Sequence, residues 1–200
     1  MKMKHKPTFA KATAGKQNIL AAALILLAIS LVGPAARAGE LAGVTLPDTL
    51  TAGTQTLKLN GLGLRKKAMI KVYVGALYLV SSAKDAGAIL AADQGKAIRL
   101  HFLRGLSKAQ LSGAFQEGFE ANATDKVGQK AAFDKMLALL SDVKKGDTLT
   151  FNYLPGKGTT LQVGEKKLGV FEGKGFADAV FSIWLGPNPP TADLKKGMLG

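Results

Sequence analysis

Hydrophobic and polar residues alternate along several short segments of the chain, and a period of two residues predicts β-strands. This pattern occurs in residues 54–64, 68–80, 96–104, 148–154, 159–163 and 167–172. The segment 68–80 is apolar on both predicted faces, which indicates a strand with protein packed on both sides of the sheet. Residues 41–50, which Pro47 interrupts, are predicted to form a short entry segment. The glycines of NGLGL (60–64) mark the predicted end of the first long strand.

Other segments place an apolar residue at every third or fourth position, which is typical of a helix with one buried face. This pattern predicts helices over residues 85–92, 107–122, 125–140, 175–185 and 192–199. In the second of these, Leu111, Phe115 and Phe119 form the predicted buried stripe. Ser107 stands just before the stripe, where its hydroxyl can accept a hydrogen bond from a free amide of the first turn.

The order of the elements along the chain is strands, a pair of helices, a three-stranded meander and two further helices. This order predicts an α+β protein in which an antiparallel β-sheet carries a layer of helices packed on one face. In the strand 96–104, the alternation places Phe102 and Arg104 on one face and His101 on the other.

The first 38 residues have the three parts of a secretory signal peptide. Residues 1–18 contain five lysines and no acidic residue, residues 19–32 are an apolar run, and Ala36-Arg37-Ala38 follows. The apolar run is shorter than the roughly 20 residues that a membrane-spanning helix needs. We therefore expect cleavage after Ala38, which would release a single domain of residues 39–200 into the periplasm or outside the cell. An uncleaved membrane anchor is the alternative.

Basic residues outnumber acidic ones by 27 to 14, which gives a formal net charge of +13. Six of the basic residues lie in the predicted leader, and several others stand in pairs spread along the chain: Lys66-Lys67, Lys144-Lys145, Lys166-Lys167 and Lys195-Lys196. Nucleic-acid binding needs a basic patch or stripe, so we expect no nucleic-acid partner. The remaining charge is compatible with a weak association with an anionic membrane surface.

The chain has no cysteine, which excludes thiol nucleophiles, redox pairs and cysteine metal sites. His101 is the one histidine after residue 38, so a site with several histidine ligands is excluded from the predicted domain. Because it lies on a strand among apolar residues, His101 fits a packed, hydrogen-bonded role better than that of a general base. We expect no metal, no cofactor and a monomer.

The strand 68–80 carries two of the three tyrosines of the chain, within KVYVGALYLV (71–80). Tyr73 and Tyr78 are five positions apart, so their side chains point to opposite faces of an unbroken strand. They could share one site only if a bulge at Gly75 shifted the register. At most one of the two therefore belongs to a given ligand site.

Three segments of the chain carry a family resemblance when they are taken together in order. They are GLGLRKKAMIKVYVGALYL (61–79), FLRGLSKAQLSGAFQEGFEAN (102–122) and GKGFADAVFSIWLGPNPP (173–190). In this combination the chain resembles the chalcone isomerase superfamily, specifically its bacterial chalcone isomerase-like branch. The resemblance implies an open-faced β-sandwich, an antiparallel sheet with a layer of helices, which agrees with the layout predicted above. It also implies that Tyr73 faces the family's cleft and that Tyr78 belongs to the packing side.

In plant chalcone isomerases, a polar cleft between the sheet and the helices closes a flavanone ring by intramolecular oxa-Michael addition. The resemblance puts Tyr73 in the place of the threonine of that cleft. It puts apolar or small residues in the places of the tyrosine, the lysine, the asparagine and the serine or threonine: Leu111, Ala114, Gly118 and Ile183, respectively. The family arginine has no aligned counterpart, because the loop 61–67 differs in length and Arg65 lies nearby but out of register. A developing phenolate or enolate would find few hydrogen-bond donors in such a cleft.

The resemblance therefore favours non-catalytic binding of a fatty acid or a similar amphipathic molecule, because fatty-acid-binding relatives in plastids hold the carboxylate with an arginine and a tyrosine. The predicted ligand site consists of Arg65, Tyr73, Leu111, Ala114, Phe115, Gly118 and Ile183. Alternatives remain for its polar residues, since Arg65 could belong to a solvated basic run and Tyr73 to the core. The alternative function is an isomerase or intramolecular lyase on an unsaturated carbonyl compound, with Tyr73 or His101 as the acid–base group. A third is a structural or partner-binding role.

Overall fold

The computed structural model describes residues 39–200 together with Met1 and Met3. The predicted signal peptide, residues 1–38, therefore lies outside the described residues apart from these two methionines. The strands within 39–200 are β1 (Gly39–Leu41), β2 (Val44–Leu46), β3 (Thr49–Ala52), β4 (Gln55–Lys67), β5 (Ile70–Leu79), β6 (Lys96–Phe102), β7 (Thr148–Leu154), β8 (Gly158–Val163) and β9 (Lys166–Phe171). Strands β3 to β9 form one antiparallel sheet in sequence order, while β1 and β2 form a separate antiparallel pair.

The helices within residues 39–200 match the predicted helical segments to within one residue at each end. They are α1 (Ala86–Ala91), α2 (Lys108–Asn122), α3 (Lys126–Leu139), α4 (Lys174–Leu185) and α5 (Ala192–Leu199). The predicted cap of α2 is present as a capping box, in which Ser107 and Gln110 each bond the other's backbone amide. None of these described helices is long and apolar enough to cross a membrane.

The five helices contribute to the larger core on one face of the curled sheet. Helix α4 lies at the centre of this layer, since nine of its twelve residues are buried. The architecture confirms the predicted α+β fold with an antiparallel sheet and a layer of helices.

The opposite face of the sheet is covered by the first strands of the domain. Val44, Leu46 and Leu50 belong to a second apolar cluster, which they share with Val74 and Tyr78 of β5. The prediction that β5 has protein packed on both of its faces is therefore confirmed. Residues 41–50, predicted as one interrupted entry segment, fold into parts of three short strands.

The glycines that were predicted to end the first long strand lie inside β4, which continues to Lys67. That expected boundary is wrong because these glycines permit close packing rather than a turn. A Cβ atom at Gly61 would overlap the carbonyl oxygen of Gly197, and one at Gly63 would overlap that of Leu194. The missing side chains therefore allow α5 to pack directly on the backbone of β4.

Candidate functional site

A cleft of about 630 Å³ opens between the β4–β5 hairpin, helix α2 and the end of helix α4. Its charged and hydrogen-bonding side chains are Arg65, Lys67, Tyr73, Arg104, Gln110, Glu117, Trp184 and Asn188. The other lining residues are apolar residues and glycines. Three of the polar side chains are cationic and one is anionic, so the charge of the cleft favours an anionic group.

The seven residues predicted for the ligand site all line this one cleft: Arg65, Tyr73, Leu111, Ala114, Phe115, Gly118 and Ile183. They come from β4, β5, α2 and α4, which are the elements formed by the three segments that carry the family resemblance. The fold therefore brings together residues that are up to 118 positions apart in the sequence. Their role in binding stays a prediction.

Arg65 is the basic residue placed best to meet an anion beside Tyr73. The two residues are paired across β4 and β5, so their side chains leave the sheet on the same face. The guanidinium of Arg65 donates a hydrogen bond to the carbonyl oxygen of Lys66. Its side chain is only partly buried, and four of its five N–H groups remain available for a ligand.

The hydroxyl of Tyr73 is buried and has one hydrogen-bond partner in the described part of the chain. The indole Nε1 of Trp184 donates to the hydroxyl oxygen over 3.0 Å. Because an indole N–H can only donate, the phenolic hydrogen of Tyr73 is directed elsewhere. Burial raises the pKa of Tyr73 to about 12, so the phenol stays protonated at neutral pH and acts as a donor. An acceptor atom of a ligand in the cleft would complete this hydrogen-bond chain.

Tyr78, the other tyrosine of β5, faces away from the cleft. Its side chain is fully buried, and its hydroxyl donates a 3.0 Å hydrogen bond to the carbonyl oxygen of Pro47. The register between β5 and β6 is unbroken from Tyr73 to Tyr78, so a bulge at Gly75 does not bring the two together. The assignment of Tyr78 to packing is confirmed.

His101 lies on the same face as Tyr78, because it is paired with Val74 across β5 and β6. It does not line the cleft, and burial lowers the pKa of its imidazole. The structure therefore does not bring the two acid–base candidates, Tyr73 and His101, to one site. His101 has no route to a molecule bound in this cleft.

Two of the small or apolar replacements differ in what they do to the cleft. Ala114 is exposed on α2 and leaves open space above the cleft floor. A Cβ atom at Gly118 would lie 2.6 Å from Cγ2 of Ile183, which is closer than carbon atoms approach. Gly118 therefore lets α4 pack closely against α2, whereas Ala114 leaves space in the cleft.

Sequence reasoning missed Trp184 and Arg104 as parts of the cleft. Trp184 orients the hydroxyl of Tyr73, and the available signal was that it is the single tryptophan of the chain. Arg104 lines the cleft from the loop after β6. The predicted alternation already placed Arg104 on the face of Phe102, which is paired with Tyr73 in the sheet.

A pair of asparagines holds the loop that forms the far wall of the cleft. The side chain of Asn122 accepts a 2.7 Å hydrogen bond from the backbone amide of Asn188 and donates to its carbonyl oxygen over 2.9 Å. Pro189 and Pro190 follow directly and line the cleft. The end of α2 is thereby tied to the end of α4, which fixes the width of the cleft at that side.

A buried lysine lies at the other end of β6 and takes no part in the cleft. The Nζ atom of Lys96 donates to three carbonyl oxygens at the end of α1, those of Ile89, Leu90 and Ala92. Burial lowers the pKa of Lys96 to about 8. These contacts satisfy carbonyl groups that a helix end leaves without partners, which indicates a structural role. Within residues 39–200, no cluster of acidic and histidine side chains is arranged to hold a metal ion.

Comparison with known proteins agrees with this fold. Among solved structures, the chain is similar to a fatty-acid binding protein of Arabidopsis thaliana, with a TM-score of 0.68 and 18% sequence identity over 82% of this chain and 96% of that one. At this level of identity the likeness shows the fold. A search of curated proteins found no match. The family model described as chalcone isomerase-like matches residues 38–200, which include every residue of the cleft. The chain belongs to the chalcone isomerase-like family.

Proposed function

We propose that the protein binds a fatty acid, or a similar amphipathic carboxylate, in the cleft and does so without covalent chemistry. The observation that carries this proposal is the hydroxyl of Tyr73, a buried donor without an acceptor in the described chain, beside the guanidinium of Arg65. A guanidinium offers parallel N–H donors that match a carboxylate, and the protonated phenol supplies one more. The similar Arabidopsis protein is a fatty-acid binding protein, which supports the same class of ligand.

The apolar lining supports an acyl chain as the other half of the ligand. Val72, Leu111, Phe115 and Ile183 line the same cleft as the polar pair. A volume of about 630 Å³ lies within the range of 300–1,000 Å³ that is common for small-molecule sites. Each methylene transferred from water contributes about 0.8 kcal/mol. The acyl chain would therefore supply most of the affinity, and the polar pair would fix its direction.

Several features make catalysis of the chalcone isomerase type a poorer explanation. A phenol with a pKa of about 12 is almost entirely protonated at neutral pH, so Tyr73 is suited to donating a hydrogen bond rather than to removing a proton. His101 is on the other face of the sheet. The family resemblance places Leu111, Ala114, Gly118 and Ile183 at the positions where the plant enzymes carry polar groups. A bound molecule would find hydrogen-bond donors at one end and hydrocarbon elsewhere.

A pair of matched variants tests this proposal. Phenylalanine in place of Ala114 would fill the cleft from an exposed position of α2, so the fold should be kept. We expect the substitution Ala114→Phe to weaken fatty-acid binding by at least about tenfold, the equivalent of two displaced methylenes. Ala131→Phe is the control, because Ala131 is exposed on α3 and does not line the cleft. Calorimetric titration that finds no binding by the unmodified protein, or equal binding by both variants, would overturn the proposal.

We also propose that the protein works outside the cytoplasm after removal of residues 1–38. The basic start, the apolar run and the small residues before Gly39 support this. Sequencing the N-terminus of protein purified from its own host should give Gly39 as the first residue. A chain that begins at Met1 would contradict export by cleavage.

A further inference from the structure

The tip of the β4–β5 hairpin, residues 66–71, is an exposed apolar turn flanked by lysines. Met69 is 94% exposed and Ile70 is 51% exposed. Lys66, Lys67 and Lys71 stand on either side of them and are exposed as well. Within residues 39–200, neither side chain belongs to an apolar core cluster. Packing of the core therefore gives no reason for two large apolar residues at the hairpin tip.

The geometry of the turn does not explain these residues either. Ala68 and Met69 are the two residues that connect β4 to β5, and Ala68 has a positive φ of 53°. Turns of this length favour glycine or asparagine at such a position, because a side chain is strained there. The sequence Ala-Met is thus a poor choice for the turn alone. A contact outside the chain would account for it.

The hairpin tip extends past the rest of the sheet. Strand β6 is paired with β5 from Tyr73 onward, and the amide of Leu103 still donates a hydrogen bond to the carbonyl oxygen of Val72, which leaves Ile70 and Lys71 beyond the last contact. At about 3.3 Å per residue, the tip projects roughly 7 Å past the neighbouring strand. Amphipathic segments at a membrane surface enter the boundary between headgroups and acyl chains by about 5–10 Å. The projection is therefore long enough to reach that boundary.

The positive charge of the hairpin tip favours contact with an anionic surface. The sequence contains no acidic residue between Asp48 and Asp85, so the lysines of the hairpin tip have no acidic neighbour along these two strands. Lys67 and Ile70 also line the cleft, which means that the cleft opens beside the tip. A surface that is anionic at its face and apolar below it complements this arrangement.

We infer that the hairpin tip docks the protein on an anionic lipid membrane, with Met69 and Ile70 among the upper acyl chains and the lysines at the headgroups. In this orientation the cleft opens towards the bilayer. Docking goes beyond the proposed ligand binding and does not depend on it. Transfer of an acyl ligand from the bilayer into the cleft would be a separate step, and only that step rests on the proposed function.

Sedimentation with lipid vesicles tests the charge of the hairpin tip. Protein purified from its own host is mixed with vesicles of phosphatidylcholine or of equimolar phosphatidylcholine and phosphatidylglycerol. Each lysine near an anionic surface accounts for about a fivefold change in partitioning, so the double variant Lys66→Gln, Lys71→Gln should bind anionic vesicles about 25-fold more weakly. The control is Lys166→Gln, Lys167→Gln, which removes the same charge from β9. That strand lies about 19 Å from β5, four strand spacings away and beyond the screening length at physiological salt.

A second pair of variants tests the apolar residues of the tip. Met69→Ser should lower partitioning into anionic vesicles by about tenfold. The control is Val127→Ser, because Val127 on α3 is 92% exposed and lines neither the hairpin tip nor the cleft. Fatty-acid affinity in solution should be unchanged in the Met69 variant, so docking and ligand binding are separable.

Several results would overturn the inference. One is equal loss of binding in the tip variants and in their controls, which would indicate a general attraction of a basic protein. Others are equal binding to neutral and anionic vesicles, or no vesicle binding at all. A protein dimer that Met69→Ser dissociates, without vesicle binding, would assign the tip to a second copy of the chain.

Discussion

The two tyrosines of β5 allow the proposed polar end of the site to be tested with a control in the same strand. Tyr73→Phe removes a donor from the cleft, whereas Tyr78→Phe removes a hydroxyl that donates to Pro47 on the other face. A hydrogen bond to a charged group contributes about 1.5–3 kcal/mol. We therefore expect Tyr73→Phe to raise the Kd for a fatty acid by roughly ten- to a hundredfold, and Tyr78→Phe to leave it unchanged.

The same two variants should both lose stability, for different reasons. Tyr73→Phe leaves the Nε1–H of Trp184, which is fully buried, without its acceptor, and an unsatisfied buried donor costs about 1–3 kcal/mol. Tyr78→Phe loses one neutral hydrogen bond, worth about 0.5–1.5 kcal/mol. Urea unfolding measures the stability of each variant, and calorimetric titration measures its affinity.

The ligand itself supplies a further control for this pair. The effect of Tyr73→Phe should shrink when the fatty acid is replaced by its methyl ester, because the charged acceptor is then absent. A Kd that changes by less than about twofold in Tyr73→Phe, or by the same factor in both variants, would refute the assignment of Tyr73 to the carboxylate.

Three further predictions concern packing and charge. Gly118→Ala should lower the free energy of unfolding by about 1–3 kcal/mol because its Cβ meets Ile183, and in an Ile183→Ala background most of this loss should disappear in urea unfolding. Gly63→Ala should lower the stability more than Gly118→Ala, because the new Cβ would meet the backbone at Leu194, and backbone cannot move aside as a side chain can. Thermal unfolding should then show a large drop in Tm or no cooperative transition. Lys96 has a pKa of about 8 in the folded state, below the value of about 10.5 for an exposed lysine. Between these two pH values, Lys96 is therefore protonated more often in the unfolded state than in the folded state. The stability of the unmodified protein relative to Lys96→Met should therefore rise with pH across this window, as unfolding at several pH values would show.

The helices could be predicted because their signals are local. Ser107 and Asp125 both cap a helix from the position just before it, and the apolar stripe of Leu111, Phe115 and Phe119 is buried as its spacing indicates. Each of these signals involves residues within a few turns of one helix. The predicted bounds were therefore accurate to about one residue.

The extent of β4 could not be predicted in the same way. A glycine that interrupts a strand and a glycine that admits a neighbouring backbone look alike in a sequence. What distinguishes them at Gly61 and Gly63 is the position of α5, more than 100 residues further along the chain. That information exists only after the sheet and the last helix have packed together.

The candidate site was predictable to the extent that it follows from strand faces and from family resemblance. The alternation of side chains separated Tyr73 from Tyr78, and the resemblance gathered seven of the residues that line the cleft. The hydrogen bond between Trp184 and Tyr73 joins residues 111 positions apart. A contact between residues so far apart leaves no periodic pattern in the sequence. The role of Trp184 in orienting the hydroxyl of Tyr73 was therefore visible only in the structure.

Native mass spectrometry of the protein purified from its own host tests the proposed function most directly. We expect a population that carries the additional mass of a fatty acid or a similar amphipathic carboxylate, recovered on lipid extraction. This population should be reduced in the Ala114→Phe variant and kept in Ala131→Phe. A protein that has only its own mass, and that shows no shift in Tm on addition of fatty acids, would contradict it.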